Sequence, residues 1–396
     1  MANTAFHAEL KDLTQFFGAM QPELEVTVRD PALGVEGYVV VWNTGISAGG
    51  PLERSGKGGT RITPNVTLDE VKMLARTMAL KNAAAGLPLG GAKSGLKLDP
   101  SVPGFEKQYR RFVRLCAPFL HENGGPFGGF GFDIGARPEH ALWACDELKS
   151  MRSFTGKPLN MGGTDYDREG IAGLGVAVAG ATVLEVHGDK PANATFAIQG
   201  LGAMGAAVLR YLSDMGATLG TLGDPKYGGT WAFDRPPSAE LHRSLITQDV
   251  EQARRLLSAE GRQMSSRAEE VLYADVDMLF PCAVQNVITE GNVDLVRARY
   301  VCEGANGPVT ETARERLHER HIPLVPDFIA NCGGVIAAFL ELTSTSQDKV
   351  KEAKKLTRQK IADNVRKMFE IANANGAQPQ QAGLYMALGK IRETSS

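Results

Sequence analysis

The sequence predicts an α/β protein of two domains, the second built on a doubly wound parallel sheet. Three observations predict it. After Gly170, short apolar strands alternate with helical stretches. A Gly-x-Gly-x-x-Gly run, Gly200-Leu-Gly-Ala-Met-Gly205, falls between one such strand and the helix that follows. Glycine supplies 45 of 396 residues, about 11% against about 7% on average. That excess suits a chain with many tight turns and close backbone approaches. The length of 396 residues is also enough for two domains with proper cores.

The elements follow in order. A polar helix opens the chain. Leu24-Glu-Val-Thr-Val-Arg29 alternates apolar and polar residues as a strand does, Pro31-Ala-Leu-Gly34 signals a turn, and Gly37 to Trp42 reads as a second strand. Leu68 to Ala85 has helical spacing, with Asp69 and Glu70 in the first turn, where the helix dipole favours acids. Glu106 to His121 and Pro138 to Ser150 read as further helices. Residues 1–172 therefore mix strands and helices in one domain. A small-residue helix runs from Gly170 to about His187. Strands are expected at 194–199, 217–222, 276–280, 300–302 and 322–326, with a helix at 202–213. These place the second domain at 173–346. Helices at 347–371 and 378–392 end the chain, and segment 347–396 is expected to return to the first domain.

Composition excludes several functions. Lys plus Arg is 43 and Asp plus Glu 45, and this net charge of −2 argues against nucleic acid or an anionic membrane as the main partner. Hydrophobic residues at 43% and charged residues at 22% are ordinary for a globular protein. The five cysteines, Cys116, Cys145, Cys282, Cys302 and Cys332, are odd in number and scattered. They fit reduced thiols in a cytoplasm and neither a disulfide framework nor a zinc site. The histidines are scattered too, and no metal site is expected. Glu9, Lys11 and Asp12 precede any apolar run, so no signal peptide is expected, and the apolar stretch 170–184 is too short to span a bilayer.

The glycine run has the context of a dinucleotide fingerprint. A strand precedes it and a helix follows. Asp224 closes the next strand, 224 − 205 = 19 residues after the third glycine. Gly200 makes the tight turn, Gly202 admits the pyrophosphate, and Gly205 lets helix pack on strand. The helix start at Ala203 and Met204 offers N–H groups and a positive dipole end to the phosphates. Asp224 would accept hydrogen bonds from the ribose hydroxyls and repel a 2′-phosphate, favouring NAD, while nearby Lys226 softens that preference towards NADP. The second domain is thus expected to be Rossmann-like.

Leu87-Pro-Leu-Gly-Gly-Ala-Lys-Ser-Gly-Leu-Lys-Leu-Asp-Pro100 sets Lys93 in a glycine-rich loop. A lysine in a poorly hydrated cleft loses part of its preference for the charged form and serves as a base near neutral pH. The segment resembles the active-site signature of the glutamate/leucine/phenylalanine/valine dehydrogenases. Lys57-Gly-Gly-Thr-Arg61, Lys81-Asn-Ala-Ala-Ala-Gly86, Phe132-Asp133-Ile-Gly135, Glu303-Gly-Ala-Asn-Gly-Pro308, Pro326-Asp327 and Asn331-Cys-Gly-Gly-Val335 resemble the same family in the same order, over roughly residues 37–341. The resemblance implies that Lys93 is the catalytic lysine and Asp133 the catalytic acid/base. It implies that Lys81, 93 − 81 = 12 residues upstream of Lys93, binds the substrate α-carboxylate. Lys57 would meet a distal substrate carboxylate. Asn306 would lie near both substrate and nicotinamide, and Ala283 and Asn331 near the cofactor. Two positions depart from glutamate-type members. Ala172 and Ala338 stand where those members carry hydroxyl side chains.

The fold so implied is an N-terminal α/β substrate and oligomerisation domain, a Rossmann-like NAD-binding domain, and a cleft between them. The function implied is NAD(P)-dependent reversible oxidative deamination of an L-amino acid to a 2-oxo acid and ammonia. Glutamate is favoured by Lys57. The alternatives are a branched-chain or aromatic amino-acid dehydrogenase, or a catalytically silent NAD or amino-acid sensor. A cytoplasmic homo-oligomer is expected, as in relatives.

Overall fold

The apolar residues of the first helix, α1 (Thr4–Ala19), recur about one turn apart, and Phe6, Leu10, Leu13 and Phe17 are all buried. The computed structural model describes residues 3–395. It divides into two units. The first holds Thr4–Glu169, Val335–Ala353 and the C-terminal segment from Leu384; the second holds Gly170–Gly334 and Lys354–Gly383.

In the first unit, β1 (Leu24–Asp30) and β2 (Val35–Val41) form the expected hairpin, Leu24 opposite Val41. The strands β3 (Gly56–Lys57) and β4 (Thr60–Ile62) follow, then α2 (Leu68–Ala84), whose Thr67 N-cap accepts the Glu70 N–H. The chain returns as β5 (Gly90–Leu96), antiparallel to β2 and parallel to β3 and β4. The unit is completed by α3 (Phe105–Cys116), β6 (Phe130–Gly131), α4 (Pro138–Leu148) and β7 (Phe154–Thr155), with β6 and β7 paired in parallel. Its core includes Phe105, Tyr109, Phe112, Phe127, Phe130 and Phe154.

The segment around Lys93, expected as a loop, is this strand β5, buried at every residue. Its glycines are spacing devices and not turn formers. A Cβ on Gly91 would lie 2.3 Å from the Ala79 backbone nitrogen of α2. Gly91→Ala is therefore expected to destabilise the unit by about 1–3 kcal/mol, because the helix must move off the sheet. Urea denaturation reads the effect; an unchanged midpoint would count against this packing.

The second unit opens with α5 (Ile171–Val186), a helix buried along most of its length, as its small-residue sequence suggested. Then come β8 (Thr195–Gln199), α6 (Ala203–Asp214), β9 (Thr218–Asp224) and β10 (Gly229–Ala232). Next are α7 (Ala239–Thr247), α8 (Val250–Glu260), β11 (Arg262–Ser265), β12 (Met278–Pro281) and β13 (Tyr300–Cys302). The chain ends with α9 (Glu311–Glu319), β14 (Leu324–Val325), α10 (Asp327–Ala330), α11 (Gly333–Thr343), α12 (Lys349–Asn375) and α13 (Pro379–Glu393). The sheet runs β11-β10-β9-β8-β12-β13-β14. The five strands from β9 to β14 in that order are parallel, as a doubly wound unit requires.

Two expectations are corrected here. The sheet is mixed, because β10 and β11 run antiparallel. After Asp224 the chain reverses within a few residues, with Gly228 and Gly229 both at positive φ, so β10 returns as a hairpin partner without a crossover helix. Segment 347–396 also does not return whole to the first unit. Most of α12 packs in the second unit, where Phe369 meets the His187 ring at 5.3 Å and Arg366 pairs with Glu185 at 2.9 Å. The unit boundary falls at 169/170, and residues 335–346 go with the first unit.

Candidate active site

β5 carries Lys93 at its middle, on the same face as Gly91 and Gly95, the glycines that give α2 and Val71 room. Lys93 is 6% exposed, and its ammonium forms an ion pair with Asp133. Asp133 follows β6, and its other oxygen accepts the Ile134 N–H at 2.7 Å and meets Arg61 Nη2 at 3.3 Å. Arg61 comes from β4 and is held in turn by Glu70 at 2.5 Å. Burial holds Lys93 below the ordinary lysine value, against the pull of Asp133, and the positive charges of Arg61 and Lys81 push it lower. Burial pushes the Asp133 carboxyl up, but the Lys93 charge and hydrogen bond and the Arg61 charge outweigh it, so the net shift is downward. The two groups titrate as a unit. Lys81 stands in the last turn of α2 and acts electrostatically on Lys93. The structure thus brings Lys81, Lys93 and Asp133 into one neighbourhood.

Lys57 on β3 is buried at 4% exposure. Its Nζ donates to Phe130 O at 2.7 Å and Gly58 O at 2.9 Å. Among the described residues no carboxylate lies within ion-pair distance of it. Burial brings its pKa down to about 7, raised by Glu341 and lowered further by Lys93 and Lys157. Ala338, on α11, belongs to the same unit and is 8% exposed.

The second unit gathers the remaining candidates at the carboxyl ends of the parallel strands, where ligands of open α/β sheets bind. Gly200, φ +84°, turns the chain out of β8, and a Cβ there would lie 2.6 Å from the Ala283 side chain after β12. A Cβ on Gly205 would lie 2.0 Å from Gly200 O, so helix and strand pack as the fingerprint requires. Gly202 faces open space and no side chain caps α6, whose first N–H groups are at Ala203 and Met204. Asn306 and Asn331 meet through a 3.2 Å hydrogen bond. Their loop is anchored by Glu303, fully buried, bonded by Arg314 at 2.9 and 3.2 Å and by the Asp327 N–H at 2.8 Å. Burial pushes Glu303 up to about 7 against Arg314. Asp224 is 8% exposed and already engaged: one oxygen accepts Leu201 N–H at 2.7 Å, the other Lys226 N–H at 2.8 Å. It anchors the glycine loop, a task the sequence did not reveal.

Two family models match the chain: Glutamate/Leucine/Phenylalanine/Valine dehydrogenase over residues 162–396, and the dimerisation domain of Glu/Leu/Phe/Val dehydrogenases over residues 22–149. The chain belongs to the Glu/Leu/Phe/Val dehydrogenase family. It is 36% identical over 324 residues to the NADP(+)-dependent glutamate dehydrogenase of Pyrobaculum calidifontis, covering 79% of this chain and 73% of that one. It is 31% identical over 346 residues to the catabolic NAD-specific glutamate dehydrogenase of Bacillus subtilis, covering 83% and 76%. Its fold is similar to the Peptoniphilus asaccharolyticus glutamate dehydrogenase structure, with TM-score 0.77 and 23% identity over 98% of this chain and 97% of that one. It is also similar to the L-tryptophan dehydrogenase structure of Nostoc punctiforme, with TM-score 0.70 and 20% identity over 98% and 100%.

This dehydrogenase is an NAD(P)-dependent amino-acid dehydrogenase, and the open cradle at Gly202, uncapped α6 and the Gly200–Ala283 contact fit a dinucleotide pyrophosphate. The described residues contain no cluster of three or more His, Cys, Asp or Glu that would hold a metal, and no helix long and apolar enough to cross a membrane. Sequence reasoning missed Lys157, Thr164 and Glu341, and gave Arg61 no role. Glu341 had one visible signal: it is the only charged residue in the run Gly333–Thr343.

Proposed function

We propose that this dehydrogenase interconverts L-glutamate and water with 2-oxoglutarate and ammonium, and that Lys57 selects the substrate. The observation that carries the reading is a buried lysine whose hydrogen-bond partners are carbonyl oxygens and which lies in the unit that also holds Lys93 and Asp133. A buried ammonium is costly without a counter-charge. A distal substrate carboxylate supplies one; a leucine side chain does not. The relatives named glutamate dehydrogenase support the same reading.

Lys81 binds the α-carboxylate and Asp133 holds the substrate nitrogen. The nicotinamide, when bound, supplies the acceptor for the hydride that leaves Cα. The substrate is then an iminium ion, and water must attack its carbon. Lys93 in neutral form takes the proton from that water as the C–O bond forms. Its ammonium then stabilises the oxygen, while Asp133, which took a proton from the substrate ammonium before hydride transfer, returns that proton to nitrogen. The C–N bond breaks, ammonia leaves, and the hydroxyl proton passes to the Asp133 carboxylate as the carbonyl forms. Burial lowers the Lys93 pKa, which favours the base form. Incubation with glutamate and oxidised cofactor should yield 2-oxoglutarate, ammonium and reduced cofactor in equal amounts; reduced cofactor without ammonium would contradict the reading.

Ala338 supports the second reading, an apolar amino acid, since it offers no hydroxyl to a carboxylate. The cofactor choice turns on the end of β9. Lys226 Nζ donates to Leu201 O at 2.5 Å and Gln248 Oε1 at 3.2 Å, beside the glycine loop, while both Asp224 oxygens are engaged. A 2′-phosphate is therefore tolerated, and NADP is taken as well as NAD. Lys226→Glu is expected to lower the NADP-to-NAD ratio of kcat/KM by about tenfold or more; an unchanged ratio would remove Lys226 from cofactor choice. A cytoplasmic homo-oligomer completes the proposal. The first unit's match to a dimerisation-domain model and five cysteines that are all buried free thiols support it.

A further inference from the structure

We infer that the buried Lys157–Glu341 pair is the positioning element of Lys57, fixing both its place and its charge, and that Glu341 thereby decides whether the enzyme accepts an acidic side chain. The inference rests on the reading of Lys57 as the residue that meets a distal carboxylate.

The geometry runs through two short strands. Phe130 of β6 pairs with Phe154 of β7 in parallel. Each phenylalanine offers its carbonyl to one lysine: Phe130 O accepts from Lys57 Nζ at 2.7 Å, and Phe154 O accepts from Lys157 Nζ at 2.6 Å. Neighbouring strands lie about 4.8 Å apart, so the two ammonium groups are tied to one small platform. Thr155 links the strands again by donating to Phe130 O at 3.4 Å. Gly131 keeps the platform open, since a Cβ there would lie 2.9 Å from Thr155 Oγ1 and 3.2 Å from Lys57 Nζ.

Glu341 closes the system from α11. Its side chain is fully buried and meets Lys157 Nζ at 2.5 Å. It also accepts from Thr164 Oγ1 at 2.7 Å, Thr164 N at 2.9 Å, Gly156 N at 3.1 Å and Lys157 N at 3.4 Å. These bonds lock the carboxylate at the end of the platform. It does not touch Lys57, so it leaves that ammonium available to a ligand. Its charge still favours the ammonium through a poorly hydrated interior, raising the Lys57 pKa against the burial that lowers it. Two lysines and one glutamate leave one buried positive charge over, the complement of one substrate carboxylate. The other charges facing Lys57 are Lys93 and Lys157, both of which oppose its protonation. Asp133 neutralises Lys93, and Asp165 stands close enough to Glu341 to feel its charge.

The sign of each substitution follows. Glu341→Gln removes a negative charge, so Lys57 gives up its proton at lower pH. Lys157→Met removes a positive charge and leaves Glu341 its four other donors, so Lys57 keeps its proton to higher pH. The quantity to read is the ratio of kcat/KM for glutamate to that for leucine, from pH 6 to 9, because titration of Lys93 and Asp133 enters both substrates and cancels. The parent ratio should fall as pH rises through the Lys57 value. Glu341→Gln should move that fall to lower pH, and Lys157→Met to higher pH, each by about half a unit or more. A merely structural pair would move both variants the same way or change only thermal stability. If Glu341→Gln does not fold, the direction of Lys157→Met decides alone. Shifts of the same sign, or none in folded variants, would overturn the inference. If Lys57→Leu itself leaves the ratio unchanged, the reading of Lys57 fails first, and that result separates the two.

Discussion

Replacing Lys93 with alanine is expected to lower kcat by about 10²–10⁴, the usual size of general acid–base catalysis. The substitution removes the ammonium that pairs with Asp133, while Arg61 remains at 3.3 Å to hold that carboxylate. The site should therefore survive with its proton carrier missing. Binding of NADH should persist, because the glycine loop and the start of α6 belong to the second unit. Steady-state kinetics and NADH fluorescence titration together test this. Near-normal turnover would assign proton transfer elsewhere; loss of both turnover and NADH binding would point to a folding defect.

Replacing Lys57 with leucine is expected to lower the glutamate-to-leucine ratio of kcat/KM by about 10²-fold. A hydrogen bond to a charged group is worth about 1.5–3 kcal/mol, and every 1.4 kcal/mol is tenfold. The change also deprives Phe130 O and Gly58 O of a donor, so some stability should be lost. A thermal melt separates that loss from the specificity effect. A ratio that stays within about threefold of the parent would show that Lys57 does not read the side chain.

Much of this was legible because the signals were local. The alternation in Leu24–Arg29, the small-residue helix after Gly170 and the fingerprint at Gly200–Gly205 each name their element from a few neighbouring residues. The candidate residues Lys81, Lys93 and Asp133 were singled out by the chemistry of a lysine among glycines and the order of the family's motifs. Three features were not. Gly90, Gly91 and Gly95 signal a turn by composition, but in the fold they make room for α2 and for neighbouring side chains, which only the packing reveals. The reversal at Gly228 and Gly229 adds an unforeseen antiparallel strand to a sheet expected to be parallel throughout, and a few φ angles decide it. Lys157 and Glu341 lie 184 residues apart, and neither has a motif of its own. The lone acid in an apolar helix was the only trace of that pair.

The most direct measurement is reduced-cofactor formation with each of the L-amino acids in turn, under both NAD and NADP. The account predicts turnover with glutamate at a kcat/KM above that of leucine, valine, phenylalanine or tryptophan. A parent enzyme that prefers one of those apolar amino acids, or that reduces neither cofactor with any amino acid, would contradict it.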